Sequence, residues 1–213
     1  MVGAVTACLI ATGSAQAAVV TVSATTLSSN AGTYGPLDAA GTTLQVTSGS
    51  PLTTICCGTW PGLWFGSTQA SDTYNFTFNK QLDYFSILIT AMSTSAASGW
   101  FESIGNFTTN AAAAPTLTFT DIQFTAWDGT TVTSSAGDGR FLMEIQAVGG
   151  RSFDRVSFAH IQSGFANGSV VNQIQYNASA GSVVPEPGTW ALMIVGFLGA
   201  GIALRRRQGA LAA

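Results

Sequence analysis

Tyr74-Asn75-Phe76-Thr77-Phe78-Asn79 alternates aromatic and polar side chains residue by residue, and Phe85-Ser86-Ile87-Leu88-Ile89 takes up the same period a few positions later. Successive side chains of an extended strand point to opposite faces. A period of two therefore gathers Tyr74, Phe76 and Phe78 on one buried face and leaves Asn75, Thr77 and Asn79 on the other. Phe141, Met143 and Ile145 repeat the pattern against Leu142, Glu144 and Gln146, and further strands are expected over 19–23, 43–47, 155–160 and 170–176. Leu117 and Phe119 sit on odd positions but Ile122, Phe124 and Ala126 on even ones, so a bulge or tight turn belongs near Thr120-Asp121.

Short segments divided by Gly, Ser, Asn and Asp, about nine in number and without a helix between them, predict an all-β fold. The expected form is an antiparallel β-sandwich of jelly-roll or immunoglobulin-like type. Residues 91–115 are rich in Ser, Ala, Thr and Asn around Trp100-Phe101-Glu102 and read as a long loop.

Charged residues make up only 8% of the 213, against roughly a quarter in an average soluble domain. Hydrophobic residues reach 46%, with 13 Phe and 5 Trp, too apolar for a disordered chain. Three of the seven basic residues are Arg205, Arg206 and Arg207, which leaves Lys80, Arg140, Arg151 and Arg155 against the acids between Asp38 and Asp154. An acidic body without clustered cations does not suit a phosphate backbone, so no nucleic-acid partner is expected.

The two ends differ from this middle. Residues 1–17, MVGAVTACLIATGSAQA, are a short apolar stretch closed by Ser14-Ala15-Gln16-Ala17, the small-residue pattern that signal peptidase cuts, with cleavage expected after Ala17. No Lys or Arg precedes Lys80, so either the α-amine alone supplies the n-region charge or the start codon lies upstream, and the second is the preferred expectation. Val5-Thr6-Ala7-Cys8 has the look of a lipobox, with too few residues before it for a hydrophobic region.

At the other end Pro185-Glu186-Pro187 is followed by Gly188-Thr189, Trp190-Ala191, an uncharged run through Leu204, and Arg205-Arg206-Arg207. A helix over 190–204 reaches about 22 Å, short of the ~30 Å hydrocarbon core, and spans only with help from its flanks. Trp190 suits one interface, and the Arg cluster suits the cytoplasmic side of the other. Pro185 and Pro187 hold the preceding peptide extended and accessible to an enzyme.

The order PEP-x-x-W-A, glycine-bearing apolar run, Arg cluster resembles the PEP-CTERM sorting domain in its PEPxxWA variant, over the tail alone. That resemblance implies export across the inner membrane of a Gram-negative, polysaccharide-producing bacterium. It also implies transient inner-membrane anchoring, recognition by an exosortase-type enzyme at Pro185-Glu186-Pro187, and delivery to the cell surface or medium. The expected organisation is a signal peptide over 1–17, a β-sandwich ectodomain over 18–183 and a sorting tail over 184–213, with the motif at 185–191 and one transmembrane helix over 190–204.

For the ectodomain the leading expectation is a non-enzymatic structural role in the exopolysaccharide or biofilm matrix. The alternative is a carbohydrate-binding module. Thr59-Trp60-Pro61-Gly62-Leu63-Trp64-Phe65-Gly66 reads as an aromatic loop, and Trp60, Trp64 and Trp100 are candidate carbohydrate contacts, since Trp faces stack on sugar rings. The contrary reading buries these aromatics in the core.

A secreted polysaccharide hydrolase is the second alternative, and it requires two facing carboxylates among residues such as Asp72, Asp83, Glu102 and Asp154. His160 shares the even parity of Val156 and Phe158, which makes it a buried structural residue rather than a general base, and no nucleophile elbow or HExxH motif is present. Adjacent Cys56 and Cys57 leave three states open: a vicinal disulfide, intermolecular bridges, or free thiols. Neighbouring Cα atoms lie only about 3.8 Å apart, below the usual disulfide range. No metal site or cofactor is expected; Asp128-Gly129-Thr130 and Asp138-Gly139 read as turns.

Overall fold

The computed structural model describes residues 18–27, 32–50, 52–56, 60–66, 71–164, 166 and 168–178, of which 53–56, 60 and 96 are described by backbone alone. Its strands are β1 (Val20–Ser23), β2 (Thr33–Tyr34), β3 (Leu44–Thr47), β4 (Thr53–Cys56), β5 (Trp60–Phe65), β6 (Asp72–Thr94) and β7 (Phe101–Thr109). They continue with β8 (Thr116–Gln123), β9 (Thr125–Trp127), β10 (Thr131–Ser134), β11 (Gly137–Gln146), β12 (Phe153–Ser163) and β13 (Ser169–Ala178). The one α-helical segment, α1 (Ala24–Leu27), is a single turn of 4 residues. The expected signal peptide and the expected transmembrane helix lie outside the described residues. No helix among the described residues is long and apolar enough to cross a membrane.

Every strand pair is antiparallel, and β6, 23 residues long, organises them. Its first half lies between β3 and β12, with Phe76 opposite both Val46 and Val156. Its second half lies between β11 and β13, with Ile87 opposite both Met143 and Ile174. The sheet runs on from β12 through β7 and β10 to β9, and from β13 to β5 and β4; β8 pairs β11, and β1 pairs β13.

The inner faces of the two halves meet. Phe76 and Phe78 of the first half reach Phe85 of the second at ring-centroid distances of 6.2 and 6.0 Å. Phe78 touches Tyr176 at 5.2 Å, Phe65 touches Phe158 at 5.7 Å, and Phe107 touches Phe119 at 5.4 Å. The all-β antiparallel class is therefore as expected. One 13-stranded sheet curled upon itself takes the place of two stacked sheets, because β6 stays hydrogen-bonded as it passes from one half to the other.

Parity explains the core. Tyr74, Phe76 and Phe78 are buried on even positions, and Phe85, Ile87 and Ile89 on odd ones. The change falls between Asn79 and Tyr84, where the registers with β12 and β13 both shift near Leu82. The slip expected near Thr120-Asp121 is present. Four residues of β8, Thr120 to Gln123, lie against three of β11, Arg140 to Leu142, Asp121 takes a left-handed φ of 49°, and its carboxylate binds Arg140 at 2.8 Å.

Three expectations are corrected. Residues 91–115 are not one long loop: they hold the end of β6 and all of β7, whose consecutive buried residues Glu102, Ser103, Ile104 and Gly105 show no apolar alternation. The aromatic loop at 59–66 is largely β5, paired with β13. Pro61 lies exposed there, and Gly62 admits a close approach, since a Cβ would stand 2.2 Å from the Val171 carbonyl oxygen. Asp138-Gly139 lies within β11 rather than in a turn, at a bulge where a Gly139 Cβ would sit 2.8 Å from the Phe124 carbonyl oxygen.

Asp128-Gly129-Thr130 does form the expected turn, with Asp128 Oδ1 accepting from the Thr130 and Thr131 amides at 2.8 and 2.7 Å.

Phe158 is fully buried and its ring meets Phe65, Tyr74, Phe76 and Phe107. Phe158→Ala should lower the unfolding free energy by about 3–5 kcal/mol in a urea titration. Val148→Ala, at a site 47% exposed, should change it by less than about 0.5 kcal/mol.

Candidate functional site

The sorting residues Pro185, Glu186, Pro187, Trp190, Ala191, Arg205, Arg206 and Arg207 lie outside the described residues, as does Cys57. Cys56 ends β4 and Trp60 opens β5, opposite each other in register, both described by backbone alone. The remaining two candidate tryptophans fall at one end of the sheet.

Trp64 lies on β5 opposite Val170, and Trp100 forms a β-bridge with Ser95 just before β7. Both are half-buried against the connection from β12 to β13. A Cβ on Gly168 would stand 2.6 Å from the Trp64 indole nitrogen, and one on Gly164 would stand 2.9 Å from Trp100 Cδ1. Backbone thus lies close against both indoles, at opposite ends of the same connection.

Beneath that connection is Glu102, on β7 opposite Gln162 of β12 and fully buried. Its Oε1 accepts from the Gly168 amide and, at 3.3 Å, from Gln162 Nε2. Its Oε2 accepts from Ser169 Oγ at 2.8 Å and the Ser93 amide at 2.9 Å. One carboxylate therefore ties β6, β12 and β13 to β7. Ser134 of β10 extends the bracket, donating to the Ser93 and Glu102 carbonyls at 2.9 and 3.1 Å.

Desolvation pushes the Glu102 carboxyl above its ordinary range, opposed by the hydrogen bonds from Ser169, Ser93, Gly168 and Gln162. It forms no salt bridge with any described residue. Both oxygens are spent on holding strands and a loop together, which is the chemistry of a fastener rather than of a proton donor to substrate. Reading the sequence missed this role, because a Glu in a Ser-rich stretch looks solvated. The one available sign was an isolated acid amid so few charges.

His160 is buried as its parity implied. The imidazole stands edge-on to Phe65 at 5.0 Å and to Tyr74 at 6.4 Å. A Cβ at Gly66 would fall 2.3 Å from His160 Cε1, so that position requires glycine. Burial drives the His160 pKa down to about 3, against a smaller opposite pull from Asp72. Tyr74 Oη accepts from the Gly66 amide at 2.9 Å, and burial pushes its pKa up to about 12. Both rings are neutral near pH 7 and enclosed by other aromatics. Among the described residues no three of His, Cys, Asp and Glu gather as metal ligands.

With this geometry in place, the comparisons with known proteins bear on the tail. Residues 183–207 match the PEP-CTERM protein-sorting motif. No curated protein and no solved structure matches the chain. The motif implies processing by an exosortase-type enzyme and export to the surface or beyond.

The His160 shift has a measurable consequence. Its folded pKa lies below the ordinary 6.5, so the unfolded chain takes up a proton first as pH falls. The stability contributed by the neutral ring is complete above pH 6.5 and is lost toward pH 3. Glu102, shifted upward, works oppositely: its contribution is complete below its ordinary pKa of 4.5 and declines as pH rises beyond it. The larger His160 shift dominates, and unfolding free energy should fall by about 2–3 kcal/mol from pH 7 to pH 4. His160→Leu should flatten that slope in urea titrations; a wild-type protein no less stable at pH 4 contradicts it.

Proposed function

We propose that this is an exported protein whose β body serves a non-enzymatic, structural role at the cell surface or in the exopolysaccharide matrix. The observation that carries this reading is the sorting motif over 183–207, joined to a body that is nearly all strand. In this reading signal peptidase removes 1–17 and the helix over 190–204 anchors the chain transiently in the inner membrane. The Arg cluster stays cytoplasmic, and an exosortase-type enzyme acts at Pro185-Glu186-Pro187.

Chemistry in the body supports a structural rather than a catalytic role. A retaining or inverting hydrolase needs two carboxylates flanking one bond. Glu102 instead faces hydrogen-bond donors from Gln162, Ser93, Gly168 and Ser169, and His160 is enclosed by aromatic rings. The low density of charge leaves a surface of hydroxyls and amides, which exchanges hydrogen bonds with hydrated polysaccharide without strong dependence on salt.

Intact mass and fractionation of the protein from its native host test this reading. Wild type should end near the Pro185-Glu186-Pro187 motif and appear outside the inner membrane. The variant with all three residues changed to Ala should stay full length and membrane-bound. An uncut wild-type chain held in the inner membrane contradicts the proposal.

A further inference from the structure

The fifth tryptophan, Trp127, stands apart from the aromatics considered above. It ends β9, with one face stacked on Phe119 at a centroid distance of 4.0 Å and an interplanar angle of 25°. Phe107 of β7 closes on both rings, at 6.1 Å from Trp127 and 5.4 Å from Phe119. This cluster lies at the mouth of the curled sheet, where β8 from one half approaches β7 and the β9–β10 hairpin from the other. Trp127 is half-buried and lines an open cavity of about 240 Å³ together with Asn106, Phe107, Leu117, Gly129 and Thr130. A second cavity of about 210 Å³ shares Phe107 and continues past Thr109 and Ala111 to Pro115.

The backbone at this mouth is specialised. Asn106 takes a left-handed φ of 54°, with its side chain exposed at the cavity. Gly105 beneath it leaves room for Thr131, whose Oγ1 would be 2.7 Å from a Cβ there. Asp128, next to Trp127, spends Oδ1 on Thr130 and Thr131, and those hydrogen bonds hold its carboxyl below the usual range. The result is an aromatic wall flanked by an amide and a hydroxyl, with no charged side chain among the lining residues.

We propose that this groove binds uncharged sugar rings of an extracellular polysaccharide, stacked on Trp127 and hydrogen-bonded to Asn106 and Thr130. Sugar rings present C–H faces to an aromatic and hydroxyls to the rim, which matches the mixed lining. A purely aliphatic ligand would desolvate the exposed Asn106 amide without offering it a partner, and an anionic sugar would find no cation in the lining. The stack on Phe119 fixes Trp127 before binding, which reduces the ordering cost. This site is distinct from Trp60, Trp64 and Trp100, and it does not depend on whether the tail is processed.

The test uses the full chain in a detergent without a sugar headgroup. Neutral oligosaccharides of glucose, mannose and galactose, and an oligomer of galacturonate, are titrated by calorimetry. At least one neutral oligomer should bind saturably, with Kd near about 1 mM or below, and more tightly than galacturonate. Trp127→Ala should weaken binding roughly tenfold or more. Asn106→Gly, which removes the amide while suiting the left-handed backbone, should weaken it several-fold with the thermal transition unchanged. Because Trp127→Ala also removes core stacking, Asn106→Gly decides if the first variant unfolds. The proposal is overturned by no saturable binding at about 10 mM, by tighter binding of galacturonate, by unaltered affinity in Asn106→Gly, or by loss in Trp64→Ala instead.

Discussion

The passage of β6 from one half of the sheet to the other, between Asn79 and Tyr84, is the constraint on which the rest of the body depends. Before it, the buried side chains are Tyr74, Phe76 and Phe78; after it, Phe85, Ile87 and Ile89. A strand of unbroken parity would turn one of these triplets outward. The register shifts near Leu82 exchange the parity, so both triplets face the same interior. Every other large strand is placed by this one: β3 and β12 flank its first half, β11 and β13 its second, and the remaining strands attach to those or their neighbours. Burying one such aromatic or aliphatic side chain is worth about 1.5–3 kcal/mol, so a second slip that exposed a triplet would cost a large fraction of a domain's net stability.

The curl also brings together distant polar groups. Glu102 can fasten Gly168 and Ser169 because β12 and β13 return beside β7 and β6. A buried carboxylate is tolerated where four donors surround it, and the buried Gly168 amide and Ser169 hydroxyl would lose this partner without it. The bracket therefore couples local loop order, and the seats of Trp64 and Trp100, to the integrity of several strands. At the opposite kind of position, the mouth formed by β7, β8 and the β9–β10 hairpin, the same curl leaves aromatic rings partly open rather than sealed.

Much of this was legible in the sequence. Aromatic and aliphatic residues at period two located β11, β12, β13 and both halves of β6, which the sequence read as two strands rather than one; the parity change located the bulge in β8, and His160 fell on the inner face with Phe158. What escaped had a physical reason. In β7 the buried positions run consecutively through Glu102, Ser103, Ile104 and Gly105, so hydrogen bonding and close packing stand in for apolar alternation. In β5, Pro61 and Gly62 suggested a loop, although Pro61 faces solvent and Gly62 permits contact with the Val171 carbonyl. Asp138-Gly139 had turn composition but serves a bulge. The three-residue β9 was too short to show a period, and with it the placement of Trp127 beside Phe107 and Phe119 was hidden, since their adjacency arises only from the curl.

The tail follows a different logic, a short linear signal whose meaning lies in residue order rather than in packing. In the proposed reading the chain is a folded cargo with an address over 184–213, and each acts without the other. Grafting 184–213 onto an unrelated periplasmic protein that carries its own signal peptide, and following that passenger by fractionation and mass, tests the division most directly. A passenger trimmed near Pro185-Glu186-Pro187 and found outside the inner membrane is the predicted result. A graft that stays uncut in the inner membrane, under conditions where the natural chain is cut, would show that the β body takes part in recognition and would contradict the account.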